Sequence, residues 1–205
     1  MPERAAGTPR RLGAIILAAG GSTRMGRVKA LLEWDGRPLV ARAAEAALGG
    51  GASPVIIVLG AEAERVRAGL PGLSLQSVVN PDWSTGMASS VRCGLKAILA
   101  AAPDLDALLV ALCDQPALSA DVVSRLSELQ AATGRIAAAR YQGRNGAPAV
   151  FGRAHFAALA SLAGDAGARA LLNGGTKSVT ALDLPDLAVD LDSPEDLQAW
   201  PGRIG

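Results

Sequence analysis

The segment Leu17-Ala18-Ala19-Gly20-Gly21-Ser22-Thr23-Arg24-Met25-Gly26, with Lys29 close behind, has the make-up of a loop that holds a polyphosphate. Glycines let the backbone approach phosphate oxygens without a Cβ in the way, so successive N–H groups can point at one anion. Leu17, Ala18, Ala19, Gly20, Gly21, Ser22 and Gly26 are the candidate nucleotide contacts, and Arg24 and Lys29 are the cations that would neutralise the phosphates. The spacing is neither that of a Walker A loop nor that of a GxGxxG dinucleotide fingerprint. Taken alone, it is explained as well by a glycine-rich turn with solvated basic residues.

A second signal, Cys113-Asp114-Gln115-Pro116, follows the most apolar stretch of the chain. Ligands of open α/β sheets collect at the carboxyl ends of strands, where a carboxylate can hold Mg²⁺ against phosphate oxygens. Asp114 is the candidate metal ligand; by itself, an Asp in a turn that opens the next helix accounts for it equally. A third segment, Asn80-Pro81-Asp82-Trp83-Ser84-Thr85-Gly86-Met87-Ala88-Ser89-Ser90-Val91-Arg92, runs from a polar loop into a helix start. Asn80, Gly86 and Ser90, with Ser89 and Arg92 beside them, could meet phosphate, ribose or base there. Ordinary capping by Ser84 or Thr85 is the competing explanation. The fourth, Asp190-Leu191-Asp192-Ser193-Pro194, offers Asp192 as a second metal ligand, with Asp190 as the alternative, or else a capped helix. Gly143–Pro148 and Gly164–Arg169 are secondary, acceptor-facing candidates, and the single histidine, His155, supports no nucleophilic triad.

Elements able to position these groups alternate along the chain as β and α, the signature of βαβ units around a mostly parallel sheet. Strands are expected at Leu12–Ala18, Pro54–Leu59, Ser74–Val79, Leu105–Cys113, Ile136–Arg140, Ala147–Phe151 and Val179–Leu182, with a further apolar run at Leu187–Leu191. Helices are expected at Pro38–Leu48, Ala61–Gly69, Gly86–Ala101, after Ser119, from Arg153, around Gly167–Leu172 and after Ser193. Met1–Arg11 reads as a loose polar tail, and residues 12–205 as one α/β domain.

Composition excludes several classes. The 20 Lys+Arg against 19 Asp+Glu leave no field that would draw the chain onto nucleic acid or a membrane. Aromatic residues at 3% remove the stacking platforms of a single-strand binder. The apolar runs are too short for a bilayer, and no leader pattern precedes the first strand, so a cytoplasmic location is expected. Cys93 and Cys113, without metal-site spacing, are expected to be buried and reduced.

Taken together, LAAGGSTRMGRVK, NPDWSTGMASSVRCGL, LCDQP, GRNGAPAVF, GDAGARALL and DLDSPEDL, spread from Leu12 to about Trp200, resemble the molybdenum-cofactor nucleotidyltransferases, and within them the cytidylyltransferase type. The resemblance implies a Rossmann-like fold that joins CTP to molybdopterin with Mg²⁺, releasing pyrophosphate. It gives Arg24 and Lys29 to the triphosphate, Asp114 to Mg²⁺, and the later acidic motif to metal or substrate. Ala19, where GTP users tend to carry glycine, leans toward cytidine. Ala147 departs from the histidine of many relatives, which weakens an acceptor role for that position. A molybdenum hydroxylase or its chaperone is the implied recipient. Alternatives in the same class use another nucleotide or a sugar or polyol phosphate acceptor; outside it stands a non-catalytic cofactor carrier. A nicotinamide-dependent oxidoreductase is set aside for want of the dinucleotide fingerprint.

Overall fold

A computed structural model describes residues 10–20, 28–70, 75–165, 167–174 and 178–188. The first strand, β1 (Leu12–Ala18), is buried at every position, as expected where helices cover both faces of a sheet. A 3₁₀ turn (Lys29–Leu31) leads into a small hairpin, β2 (Glu33–Trp34) and β3 (Arg37–Pro38). Then come α1 (Leu39–Gly49), β4 (Val55–Leu59), α2 (Ala63–Ala68), β5 (Gln76–Val79), a 3₁₀ turn (Trp83–Thr85), α3 (Met87–Ala101) and β6 (Ala107–Leu112). Helix α4 (Ala120–Thr133) is opened by Ser119, whose hydroxyl accepts from the Val122 N–H, and closed by Gly134 at φ 66°, the left-handed conformation glycine adopts without cost. The remainder is β7 (Ile136–Tyr141), β8 (Arg144–Gly152), a 3₁₀ turn (Arg153–His155), α5 (Phe156–Ala160), α6 (Arg169–Asn173), β9 (Val179–Asp183) and a last 3₁₀ turn (Pro185–Ala188).

Seven strands form one sheet in the order β5-β4-β1-β6-β8-β7-β9. All pairs are parallel except those of β8, which runs antiparallel to both β6 and β7. The fold is therefore the mostly parallel α/β domain expected. Side chains alternate between two cores with the strand period of two. Ala14 and Ile16 of β1, Ile57 and Leu59 of β4, and Leu109 and Ala111 of β6 pack on the side of α1 and α4. Ile15, Leu17, Ile56, Val58, Leu108 and Val110 pack on the side of α3 and α5. Helix α3 comes so close to the sheet that a Cβ on Gly94 would lie 2.7 Å from Val58 Cγ2 and 3.1 Å from Ile15 Cδ1.

Several expectations are corrected. Arg10 and Arg11 are held rather than loose: the Arg10 guanidinium donates to Gln130 Oε1 at 2.7 Å, and the Arg11 N–H donates to Asp106 Oδ2 at 2.8 Å. The helix expected from Arg153 opens as a 3₁₀ turn and ends at Ala160. The start of the Leu187–Leu191 run is a 3₁₀ turn that buries Leu187. Cys93 is partly exposed because it lies off the stripe of Val91, Leu95 and Ile98 by which α3 packs. The helix expected after Ser193 lies outside the described residues.

Candidate nucleotide-binding cleft

Strands β1 and β6 lie side by side with Leu17 opposite Leu112, so the residues that follow them emerge together at the carboxyl edge of the sheet. Between them and the start of α3 lies a cleft of about 430 Å³. From β1 and the turn after it come Leu17, Ala18, Ala19, Gly20, Lys29 and Ala30; from β6 come Leu112, Cys113 and Asp114; from the β5–α3 segment come Trp83, Ser84, Gly86, Met87 and Ser90; Asp165 closes the list. Four candidate contacts from the first motif, Leu17 to Gly20, and two charged candidates, Lys29 and Asp114, thus border one space. Lys29 Nζ stands 3.9 Å from Asp114 Oδ2, and each side chain is about a quarter exposed, at 24% and 23%. That pair places one cation and one carboxylate on the same mouth, where an incoming anion and its counterion would be held.

Ala19 can sit where it does because glycine follows β4 at position 60. A Cβ there would come within 2.2 Å of the Ala19 carbonyl oxygen, so only glycine lets the loop cross. Sequence reasoning passed over Gly60, since its signal is a single glycine at a strand end. Cys113 ties the two strand ends together, its N–H donating to the Leu17 carbonyl at 3.3 Å. Its thiol is pushed far up by burial, and further by the charge of Asp114. It stays protonated and is no nucleophile.

The entry to α3 corrects the capping explanation. Neither Ser84 nor Thr85 caps the helix: Gly86 occupies that place at φ 112°, without a side-chain cap. Thr85 Oγ1 instead donates to the Asp82 carbonyl at 2.8 Å. The Ala88 N–H donates to the Gly164 carbonyl at 3.2 Å, and a Cβ on Gly86 would lie 2.3 Å from Asp165 Oδ1. The Gly164–Arg169 segment therefore reaches across the cleft and contributes a carboxylate, Asp165, that had not been singled out. Trp83, Met87, Leu112 and Cys113 were also missed as lining residues, although all four lie inside the quoted motifs.

Asn80 departs from its expected role. It is 2% exposed and lines no part of the cleft. Its amide Nδ2 donates to Ser89 Oγ at 2.8 Å and to Ser90 Oγ at 3.0 Å, while its Oδ1 accepts from the Asp82 N–H at 3.0 Å. Gly21, Ser22, Arg24, Gly26, Asp190 and Asp192 lie outside the described residues.

Beside the main cleft, sharing Leu17, Met87 and Leu112 with it, is a side pocket of about 60 Å³ that also touches Tyr141, Gly146, Ala147 and Arg169. Buried Gln115 braces its wall: Nε2 donates to the Ala147 carbonyl at 3.0 Å and the Tyr141 hydroxyl at 3.2 Å. Helix α6 is tied to the first secondary loop here, with Asn145 Nδ2 donating to the Leu172 carbonyl at 2.9 Å and Asn173 Nδ2 to the Asn145 carbonyl at 3.1 Å.

The donors fit a hard divalent cation brought in with a nucleotide. Asp114 and Asp165 supply carboxylate oxygens to the cleft, and among the described residues no cluster of three or more His, Cys, Asp or Glu makes a self-sufficient metal cage. Mg²⁺ is commonly held by one or two carboxylates together with substrate phosphates.

The model of the MobA-like NTP transferase domain matches residues 14–182. The chain belongs to this nucleotidyltransferase family. Over 205 residues, 95% of this chain and 97% of the relative, it is 33% identical to the molybdenum cofactor guanylyltransferase of Rhodobacter capsulatus. It is 42% identical, over 89% of this chain and 93% of the relative, to nicotine blue oxidoreductase of Paenarthrobacter nicotinovorans. The crystal structure of Rv0371c from Mycobacterium tuberculosis superposes with a TM-score of 0.79 at 30% identity, covering 93% of this chain and 97% of that one; a second structure of Rv0371c is a complex with manganese. Among the described residues no helix is long and apolar enough to cross a membrane.

Proposed function

We propose that this member of the MobA-like family transfers a cytidylyl group from CTP to the terminal phosphate of molybdopterin, yielding the cytosine dinucleotide and pyrophosphate with Mg²⁺ as cofactor. The observation that carries the reading is the Lys29–Asp114 pair, 3.9 Å apart at the mouth of the cleft that the glycine segment borders. Lys29, with Arg24 from the same loop, draws the triphosphate in and stabilises charge building on the α-phosphate and the departing pyrophosphate. Asp114 would hold the divalent cation, with Asp192 or Asp190 as a second ligand; bound there, the ion would add positive charge at the same oxygens. The backbone from Leu17 to Gly26 orients the phosphates, and the apolar walls made by Leu17, Met87 and Leu112 keep water from competing with the acceptor. The acceptor phosphate itself attacks the α-phosphorus, so no protein nucleophile is required.

Ala19, which borders the cleft at 7% exposure, supports a cytosine preference, because a methyl group there narrows the room beside a base. One methyl discriminates only modestly, and the Rhodobacter relative is a guanylyltransferase, so the base is the finest part of the proposal. A cytoplasmic location and delivery of the product to a molybdenum hydroxylase or its chaperone complete it.

A second reading is favoured by one observation, the 42% identity with nicotine blue oxidoreductase: the same cleft would then take a redox partner and a planar dye. One experiment separates the readings. The purified protein is incubated with Mg²⁺, molybdopterin and CTP, GTP, UTP or ATP, and products are identified by mass; in parallel it is given NADH or NADPH and a quinonoid dye, and absorbance is followed. Cytidylylated pterin with pyrophosphate release supports the proposal, guanylylated product moves it to GTP, and nicotinamide oxidation without any dinucleotide replaces it.

A further inference from the structure

Strand β8 pairs with β6 as far as Val110–Ala149, whereas β1 stays beside β6 to Leu112. The reason lies on the other side of β8. The β7 neighbours Ala138 and Ala139 are paired with Ala149 and Gly146, so Ala147 and Pro148 bulge out of the ladder. A bulge leaves residues unpaired and bends its strand. Here β8 parts from the end of β6, and the side pocket bordered by Leu112, Gly146 and Ala147 lies in the split.

Gln115 spans that split. It directly follows Asp114, is 2% exposed, and reaches three oxygens through Nε2. These are the Ala147 carbonyl at 3.0 Å, the Tyr141 hydroxyl at 3.2 Å and the Leu187 carbonyl at 3.4 Å. The Tyr141 hydroxyl in turn donates to the same Ala147 carbonyl at 3.0 Å. One amide thus ties the turn that carries Asp114 to the bulged strand and to the 3₁₀ turn that follows β9. Its Oε1 is buried with no partner among the described residues, which costs stability. A methionine would bury there without that cost; it could not hold the two carbonyls.

We infer that Gln115 is a positioning residue that sets the width of the split between β6 and β8, and with it the separation of the Asp114 carboxylate from the wall of the side pocket. This rests on the nucleotidyl-transfer reading and deepens it by naming a residue on which alignment of the acceptor depends and binding of the nucleotide does not. The triphosphate belongs to Lys29 and the glycine segment, and none of the Gln115 hydrogen bonds runs to either. In-line attack needs the acceptor phosphate opposite the departing pyrophosphate. The side pocket opens beside the cleft, sharing Leu17, Met87 and Leu112 with it, so the wall that Gln115 holds is the one that aligns the acceptor.

The test separates the two substrates. Binding of Mg²⁺–CTP is measured by titration calorimetry, and steady-state rates are measured with molybdopterin varied. Gln115→Met keeps length and removes both donors; kcat/KM for molybdopterin is expected to fall about 10- to 100-fold, the scale of a misplaced reacting group, with the Kd for CTP within about twofold. Tyr141→Phe removes one of the two holds on Ala147 and is expected to lower kcat/KM about threefold. In the Gln115→Met/Tyr141→Phe double variant the second change should add almost nothing, because both act through the Ala147 carbonyl. Gly94→Ala, which crowds Val58 and Ile15 under α3, is the control for lost stability alone and is expected to keep both substrate constants. An acceptor kcat/KM within about twofold of wild type in Gln115→Met, a parallel loss of CTP affinity, or additive effects in the double variant overturns the inference while leaving nucleotidyl transfer standing. Should Gln115→Met fail to fold, Tyr141→Phe decides, and an unchanged kcat/KM there overturns the inference. A wild-type protein that forms no nucleotidylated product overturns both, and is recognised before any variant is made.

Discussion

Asp114→Asn gives the sharpest test of the cleft, because its effect should change sign with the metal. At 3.9 Å from Lys29, the carboxylate contributes about 4 kcal/mol of Coulomb attraction at an effective dielectric of about 20, and about 1 kcal/mol at that of water. With both groups a quarter exposed, and with desolvation opposing the attraction, we expect the stability loss to be about 1–2 kcal/mol, a fall in Tm of roughly 2–8 °C for a chain of this size. The functional effect runs through the triphosphate. In EDTA, Asp114 repels the nucleotide by about 1 kcal/mol under water-like screening at a few ångströms, so Asn should tighten metal-free CTP binding about fivefold. In Mg²⁺ the same change removes the ligand that holds the cation, so binding should weaken and kcat/KM fall by about 10² to 10³. Titration calorimetry with CTP, run in EDTA and in Mg²⁺, reads both directions, and thermal melting confirms the fold. Loss of affinity in both buffers, or a variant that keeps more than a tenth of wild-type kcat/KM with an unchanged Mg²⁺ requirement, refutes the assignment.

Gly60→Ala places a Cβ 2.2 Å from the Ala19 carbonyl oxygen and must push the glycine segment aside. A displacement near 1 Å is expected to lower kcat/KM about 10²-fold, and a variant with wild-type kinetics would show that the loop's seat is immaterial. Gly94→Ala crowds Val58 and Ile15 and is expected to cost about 1–3 kcal/mol, read as a lowered midpoint in urea with activity retained below it. Cys113 gives a pH signature. Its thiol is held above the ordinary value of 9.0 by burial and by Asp114, so the folded protein keeps a proton that the unfolded chain releases. Stability owed to this group is intact below about pH 9 and declines as pH rises beyond it; Cys113→Ala should flatten the fall of Tm between pH 9 and 10.5, and an unchanged slope would exclude the thiol as its source.

Sequence by itself determined the alternation of strand and helix, because apolar runs such as LGAIILA and PVIIVL have no other way to be covered than by helices on both faces of a sheet. It also marked the Leu17–Lys29 segment and Asp114, whose residue types carry their chemistry wherever they are placed. It determined the Ser119 cap and the packing stripe of α3 for the same reason, since both are read within a few residues of chain. Tertiary structure alone decided what depends on distant segments meeting. The reversal of β8, the approach of Asp165 to Gly86 and the need for glycine at 60 beneath Ala19 are set by close packing between parts of the chain far apart in sequence, and the burial of Asn80 behind Ser90 by the way the loop folds back on α3. Asn80 shows the difference most clearly: its motif pointed to a ligand, and only the positions of two serine hydroxyls, nine and ten residues further on, showed that its hydrogen bonds were already spent inside the protein.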